Sequence, residues 1–162
     1  MSEKPSALDA VKIQARVVIP IVRALEREIG TARAHSIVAA AIAESFTDWQ
    51  TKTVQTRNAH PRDTDIETQY PVETEVVEDT GSTFAVNMTR CRFAEYFHAI
   101  GAADVGAMLT CAFDSAAEPV LRPDWEFRRT QTIMGGASHC DFRWQLRKQV
   151  EPGDVASAAN DE

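Results

Sequence analysis

The chain reads as an α+β domain: two long helices, then an antiparallel sheet of about four strands in two hairpins, with a short helical pair between them. Three observations predict this. Apolar residues recur every three to four positions from Leu8 into the fifties, the spacing of one helical stripe. Beyond Pro71 the period drops to two around glycine-containing turns, as in half-buried strands. And 162 residues are enough for about one domain with its own core, with no second domain needed.

In the first helix the stripe is Leu8, Val11, Ala15, Val18, Val22, Leu25 and Ile29, stopped by Gly30. Pro20 lies inside it and is expected to kink the helix or begin a new segment, because it lacks the N–H of the helical ladder. Thr31 is the expected N-cap of a second helix, with Ile37, Val38, Ala41, Ile42, Ser45, Phe46 and Trp49 as its face, running to about Thr56. The helical half is therefore placed at 6–57, and 58–71, bounded by prolines, is read as loop.

Residues 72–148 form the α+β half. Val72 to Glu78 and Ser82 to Thr89 flank Asp79-Thr80-Gly81 as a hairpin, which puts Cys91 at the end of the second strand. Phe93 to Ile100 and Ala103 to Ala117 are the helical pair, and Asp124 to Ile133 with His139 to Arg147 make a second hairpin around Gly135-Gly136. Trp125, Phe127, Arg129 and Gln131 share one face of its first strand; Cys140, Phe142 and Trp144 alternate with Asp141 and Arg143 on its second. The domain is 1–148, and 149–162, without periodicity, is read as a disordered tail.

A formal charge of −7 disfavours nucleic acid and anionic membrane surfaces as partners, and the apolar runs are too short to span a bilayer. With no leader-like segment the expected location is cytoplasmic. The small Ala39-Ala40-Ala41 run on the second helix suits close packing, including against a second copy, so a homo-oligomer is one expectation.

Chemistry concentrates around three cysteines, Cys91, Cys111 and Cys140, each within a polar and aromatic run of the C-terminal half. An odd number at wide spacing makes a poor disulfide framework, and no pair has the spacing of a zinc ribbon. Taken singly, a free cysteine is more often packing than chemistry. Of the histidines, His35, His60 and His98 read as surface or loop residues, while His139 is singled out by its neighbour Cys140.

Four ordered motifs, Thr89-Arg90-Cys91-Arg92-Phe93-Ala94-Glu95, Cys111-x-x-Asp114, Phe127-x-Arg129-Thr130-x-Thr132 and Gly136-x-x-x-Cys140-Asp141-Phe142-Arg143, resemble the L-2-amino-thiazoline-4-carboxylic acid hydrolase family. The resemblance covers roughly residues 86–144. Ala137 and Ser138 stand where acidic residues often follow the glycine of the last motif. It implies a hydrolase acting on a C–N bond of a small cyclic amidine or related nitrogen heterocycle, by ring opening or deamination.

The residue types suit that chemistry. A thiolate attacks an amidine carbon if nearby cations lower its pKa; Arg90 and Arg92 flank Cys91, although on a strand they point to the opposite face. Cys111 is the most attractive single nucleophile because Asp114 lies one helical turn on; Cys91 and Cys140 complete the catalytic candidates. Asp114 or Glu95 would relay protons. Arg129 would hold a substrate carboxylate, with Arg90, Thr130, Thr132 and His139 as further substrate contacts. In a second reading Cys91, Cys111 and Cys140 ligate a zinc that activates water; no other cofactor is expected. The rival class is a non-enzymatic module on the same fold that senses a small ligand or a metal.

Overall fold

The computed structural model describes residues 5–53, 60–64 and 66–148; the expected tail at 149–162 and the helix end near Thr56 lie outside them. Helix α1 spans Ala7–Ile29. Ser6 caps it, its hydroxyl accepting the Asp9 amide at 3.1 Å, and it buries Leu8, Ala15 and Val22, one residue every two turns. Of the kink or new segment expected at Pro20, no new segment starts there: the helix continues through it. Pro20 is exposed, and so is Arg16, whose carbonyl the missing N–H would have bonded, so water can satisfy that group. Gly30, at φ 82°, closes the helix with its N–H on the Glu26 carbonyl.

Helix α2 spans Thr31–Thr53. Only Gly30 separates it from α1, so Thr31 is its first helical residue rather than its N-cap. Its face is also rotated from the expected one: Ala34 is fully buried while Ile37 is 49% exposed, and Val38, Ala39 and Ile42 pack on the core. Ala34 is small and fully buried, and α2 packs along α1. The expected face residues Phe46 and Trp49 have side chains outside the described residues.

The segment read as loop holds a 3-10 turn, Pro61–Asp63, and one turn of helix, α3, Ile66–Gln69. Strands β1, Val72–Asp79, and β2, Thr83–Cys91, form the first hairpin, its turn closed by Thr80, whose hydroxyl accepts the Thr83 amide at 2.8 Å. Helix α4, Arg92–Ala99, follows without a break. Then α5, Ala103–Gly106, a π-helical turn at Ala107–Cys111 and α6, Ala112–Leu121, run as one helical stretch, longer than the expected 103–117 and widened at the turn that ends on Cys111. Gly106 is required there: a Cβ would lie 2.5 Å from the Phe97 ring and 2.8 Å from the Met134 sulfur.

Strands β3, Trp125–Arg128, and β4, Cys140–Leu146, complete an antiparallel sheet of order β1-β2-β4-β3, so the two hairpins are joined through β2 and β4. β3 is shorter than the expected 124–133. The Asp141 carboxylate takes the amides of Thr130 and Gln131 at 2.9 and 2.7 Å and the Thr130 hydroxyl at 2.6 Å, so these groups leave the strand ladder.

There are two cores. One, between the helices, gathers Leu8, Ala15, Val22, Phe93, Phe97, Val105, Met108, Leu109 and Met134. The other lies on one sheet face, with Phe84, Val86, Met88, Trp125, Cys140, Phe142 and Trp144. His60, expected to be inert, closes the edge of the second, its ring 4.8 Å from that of Trp125. Ile133 packs on both cores, and the conspicuous polar groups collect along this seam.

Candidate functional site

Each cysteine reaches the seam from a different element. Cys91 ends β2 and is the N-cap of α4; Cys111 ends the π turn; both pack on the helical core. Cys140 opens β4 within the sheet core. They sense one another: Cys140 acts electrostatically on Cys111, and Cys91 on Cys140. Cys140 Sγ accepts the Ile133 amide at 3.2 Å, and the Thr110 hydroxyl lies 3.7 Å from Cys111 Sγ. All three are free thiols.

The expected activation of a thiolate by cations is reversed. Burial pushes the Cys111 thiol up to about 11, and the Asp114 carboxylate adds to the rise against the opposing Thr110 hydroxyl and Arg129. Burial raises Cys140 as well, opposed by the Ile133 amide. Cys91 is also raised by burial, but the amides of Ala94 and Phe93, in the first turn of α4, act the other way. A thiol at a helix N-terminus is the arrangement that favours thiolate formation. Of the three, Cys91 alone stands at a helix N-terminus, although burial still leaves it above the ordinary thiol value, whereas the sequence pointed to Cys111.

Asp114, on the first turn of α6, is the central carboxyl. Burial raises it to about 7, with Arg129 pulling down and Glu118 pushing up. Its side chain keeps 32% exposure, so it is enclosed by protein yet can be reached. Arg129 Nη1 donates to Asp114 Oδ2 at 2.6 Å and Nη2 to the Cys111 carbonyl at 2.9 Å, with the guanidinium 5.6 Å from the Phe142 ring centre. Both terminal nitrogens are thus used within the protein. Arg129 orients Asp114 instead of standing free for a substrate carboxylate.

One cleft adjoins this centre at Arg129, and a second is linked to it through Tyr70, which feels the Asp114 charge. The first, about 360 Å3, is lined by Arg129, Thr130, Gln131, Thr132, Gly135 and Ala137, which brings three of the expected substrate residues to one wall. Thr132 Oγ1 accepts the Gly135 amide at 3.0 Å and Thr130 is bound to Asp141. His139 is half-buried behind them, 3.0 Å from the Gln131 side-chain nitrogen and 3.0 Å from the Ser138 hydroxyl. The second cleft, about 530 Å3, runs between the start of α1 and residues 67–71, with Lys12, Tyr70 and Arg92 among its walls.

Two sequence candidates lie elsewhere. Glu95 and Arg90 are half-exposed and bond each other at 2.6 Å, and Arg90 also reaches Glu73 at 2.9 Å. This surface ion network holds β1 to α4; Arg90 is turned away from Cys91, as alternation along β2 requires, while the Glu95 charge still adds to the rise at Cys91.

The sequence reading missed Tyr70, Glu118 and Arg122. Tyr70 is raised by burial and by the charges of Asp114 and Glu118, so it borders the same centre from the second cleft. Glu118 accepts both Arg122 Nη1 and, at 2.8 Å, the Trp144 indole N–H; Arg122 goes on to the Thr64 hydroxyl. Positions 111, 114, 118 and 122 step by three and four, so a polar stripe on an otherwise apolar helix was the available signal.

The three sulfurs do not form a preassembled zinc site. Zinc thiolates at about 2.3 Å in a tetrahedron place their sulfurs just under 4 Å apart, but among the described residues the one group whose donor atoms all lie within 4.8 Å of each other is Glu26, His35 and Asp104. That candidate ligand triad already encloses a cation: Arg23 bonds Glu26 at 2.7 Å and Asp104 at 2.7 and 2.8 Å, and His35 Nε2 lies 2.6 Å from Glu26. Among the described residues no helix is long and apolar enough to cross a membrane.

No curated protein matches the sequence. Among solved structures, the phenol-responsive sensory domain of the transcription activator PoxR, with phenol, is similar at 14% identity and a TM-score of 0.43, covering 84% of this chain and 76% of that one. The family model for L-2-amino-thiazoline-4-carboxylic acid hydrolase matches residues 10–144, a span that includes all three thiols, Asp114 and Arg129, and the chain belongs to that family.

Proposed function

We propose that the chain hydrolyses a C–N bond of a small cyclic amidine or related nitrogen heterocycle, with Cys91 as nucleophile, Asp114 as proton carrier and Arg129 orienting Asp114. The observation that carries this reading is a carboxyl raised to about 7 whose charge is felt by all three thiols, since a group that gives and takes protons at neutral pH is what amidine hydrolysis needs.

The steps balance as follows. Ionised Asp114 takes the Cys91 thiol proton as the sulfur bonds to the amidine carbon, and the C=N electron pair moves onto nitrogen. Asp114 then returns the proton to a departing nitrogen, breaking a C–N bond and leaving the carbon attached to sulfur. Water, deprotonated by Asp114, adds to that carbon and expels the thiol. The net change is water consumed, a C=O formed and an amine freed. Cys111 and Cys140 stay protonated and line the chamber, and the first cleft, with Thr130, Thr132 and His139 at or behind its wall, receives the ring. The sulfurs as placed do not fit a zinc, and no step runs through one. Three free thiols agree with a reducing, cytoplasmic setting.

The test is hydrolysis of L-2-amino-thiazoline-4-carboxylic acid and of 2-aminothiazoline, followed by amine release, for the wild type and for Cys91→Ser, Cys111→Ser, Cys140→Ser and Asp114→Asn. Turnover lost in Cys91→Ser and Asp114→Asn but kept in the other two supports the reading. Full activity in Cys91→Ser overturns the thiol step. Binding of either compound without product, over many hours, would make the chain a ligand-binding module.

A further inference from the structure

The outer face of α1 carries an apolar stripe that nothing among the described residues covers. Ile13, Val17 and Ile21 are 58%, 60% and 52% exposed, with Pro20 exposed and Ala10 half-buried beside them. These are not part of the inward stripe of Leu8, Ala15 and Val22. Ala10, Ile13, Val17, Pro20 and Ala24 step by three and four, the a/d spacing of a helix–helix seam, with Ile21 alongside.

The stripe is also symmetric in sequence about Val17. Ile13 and Ile21 stand four residues to either side of it, and Ala10 and Ala24 seven. A surface of this kind is complementary to a copy of itself turned end for end, as a two-fold contact demands. Charge follows the same symmetry. Asp9 is in the first turn of α1 and Arg27 in the last, and both lie to the same side of the seam, on the order of 80° round the helix from Val17. Antiparallel pairing about Val17 therefore sets Asp9 of each copy beside the basic end of the other, with the two helix dipoles opposed. Arg16 lies farther round, roughly 100° from the seam centre, and points out of it.

We infer that α1 is a homodimer interface in which two copies pair antiparallel across a two-fold axis at Val17. The three large side chains leave roughly 300 Å2 of apolar surface in water, at the lower end of functional patches, and with its flanks a pair reaches about the 1,000 Å2 at which specific interfaces begin. The contact is thus a concentration-dependent one, in the micromolar range. It lies on α1, not on the alanine run of α2, where Ala39 already packs on the core.

The geometry makes the test stringent. At an interaxial distance of about 10 Å, two Cα radii of about 2.3 Å leave the Val17 Cα atoms about 5 Å apart, within disulfide reach, while Ile13 pairs with Ile21 and its two copies stand about 12 Å apart along the axis. Sedimentation equilibrium of the full chain should show a monomer–dimer equilibrium over micromolar concentrations. Val17→Asp should abolish it with an unchanged circular-dichroism melt of the monomer. Under mild oxidation Val17→Cys should cross-link to covalent dimer, while Ile13→Cys and the wild type do not. A monomer at every concentration, a dimer that survives Val17→Asp, or equal cross-linking at positions 13 and 17 would each overturn the inference. So would a stripe found covered by the chain's own residues 149–162, revealed if their deletion shifts the Val17 amide resonance.

Discussion

Replacing Asp114 by asparagine should flatten the pH dependence of stability. Burial lifts the carboxyl from 3.8 to about 7, so between those values the folded protein keeps a proton that the unfolded chain has released. The folded state then binds more protons than the unfolded, and stability falls as pH rises through the window. Above about 7 both forms are ionised and the whole loss is present. From 3.8 to about 7, at about 1.4 kcal/mol per pH unit, the loss is about 4 kcal/mol, and the 32% exposure of the side chain reduces it to about 2–4 kcal/mol. Asparagine mimics the protonated acid and keeps an acceptor for Arg129. The two proteins should therefore match near pH 4, with the variant more stable by that amount near pH 8. Urea unfolding of both across this range measures it. Parallel curves, or a wild type that gains on the variant as pH rises, would refute the assignment of a near-neutral, desolvated carboxyl.

Further outcomes follow from the same contacts. Arg129→Met removes the partner of Asp114 and should raise the apparent pKa governing turnover above about 7 by roughly 1 unit, read from the pH–rate profile against wild type. Gly106→Ala pushes a methyl into Phe97 and Met134 and should cost about 1–3 kcal/mol of unfolding free energy by denaturant titration, with no shift in that profile. Thiol alkylation on the native fold near pH 8 should modify Cys91 first and Cys111 last, because burial holds Cys111 up to about 11 while the α4 amides oppose the rise at Cys91; peptide mapping by mass spectrometry gives the order.

Local pattern carried most of the architecture, because each amphipathic segment keeps a period that only one element satisfies: the α1 stripe from Leu8 to Val22, the hairpin around Asp79-Thr80-Gly81 and the alternation of Cys140, Phe142 and Trp144 stand where spacing placed them, while Ile29, expected on the stripe, is exposed. Three features depend on contacts that spacing does not encode. The rotation of α2 is seen in buried Ala34 and in Val38, Ala39 and Ile42 on the helical core; the early end of β3 follows the carboxylate of Asp141; the continuity of α1 through Pro20 follows its exposed position. For the site, the cysteines, Asp114 and Arg129 were legible as motifs, but their states were not. Whether a thiol is activated depends on the balance of burial against nearby dipoles, and that balance is set by the fold: Arg90 turns outward to Glu95, and the backbone of α4 replaces it at Cys91. Glu118 acts on Asp114 from one turn along the same helix, whereas Tyr70 comes under the charges of both only through tertiary placement.

The most direct test of the proposed hydrolase is kcat/KM for L-2-amino-thiazoline-4-carboxylic acid against pH, in the wild type and Asp114→Asn. The account predicts a rate that climbs with pH through an apparent pKa of about 7 as Asp114 ionises, and a loss of both the limb and the rate in the variant. A limb of the same position and height in Asp114→Asn would contradict it, because the proton carrier would then be another group.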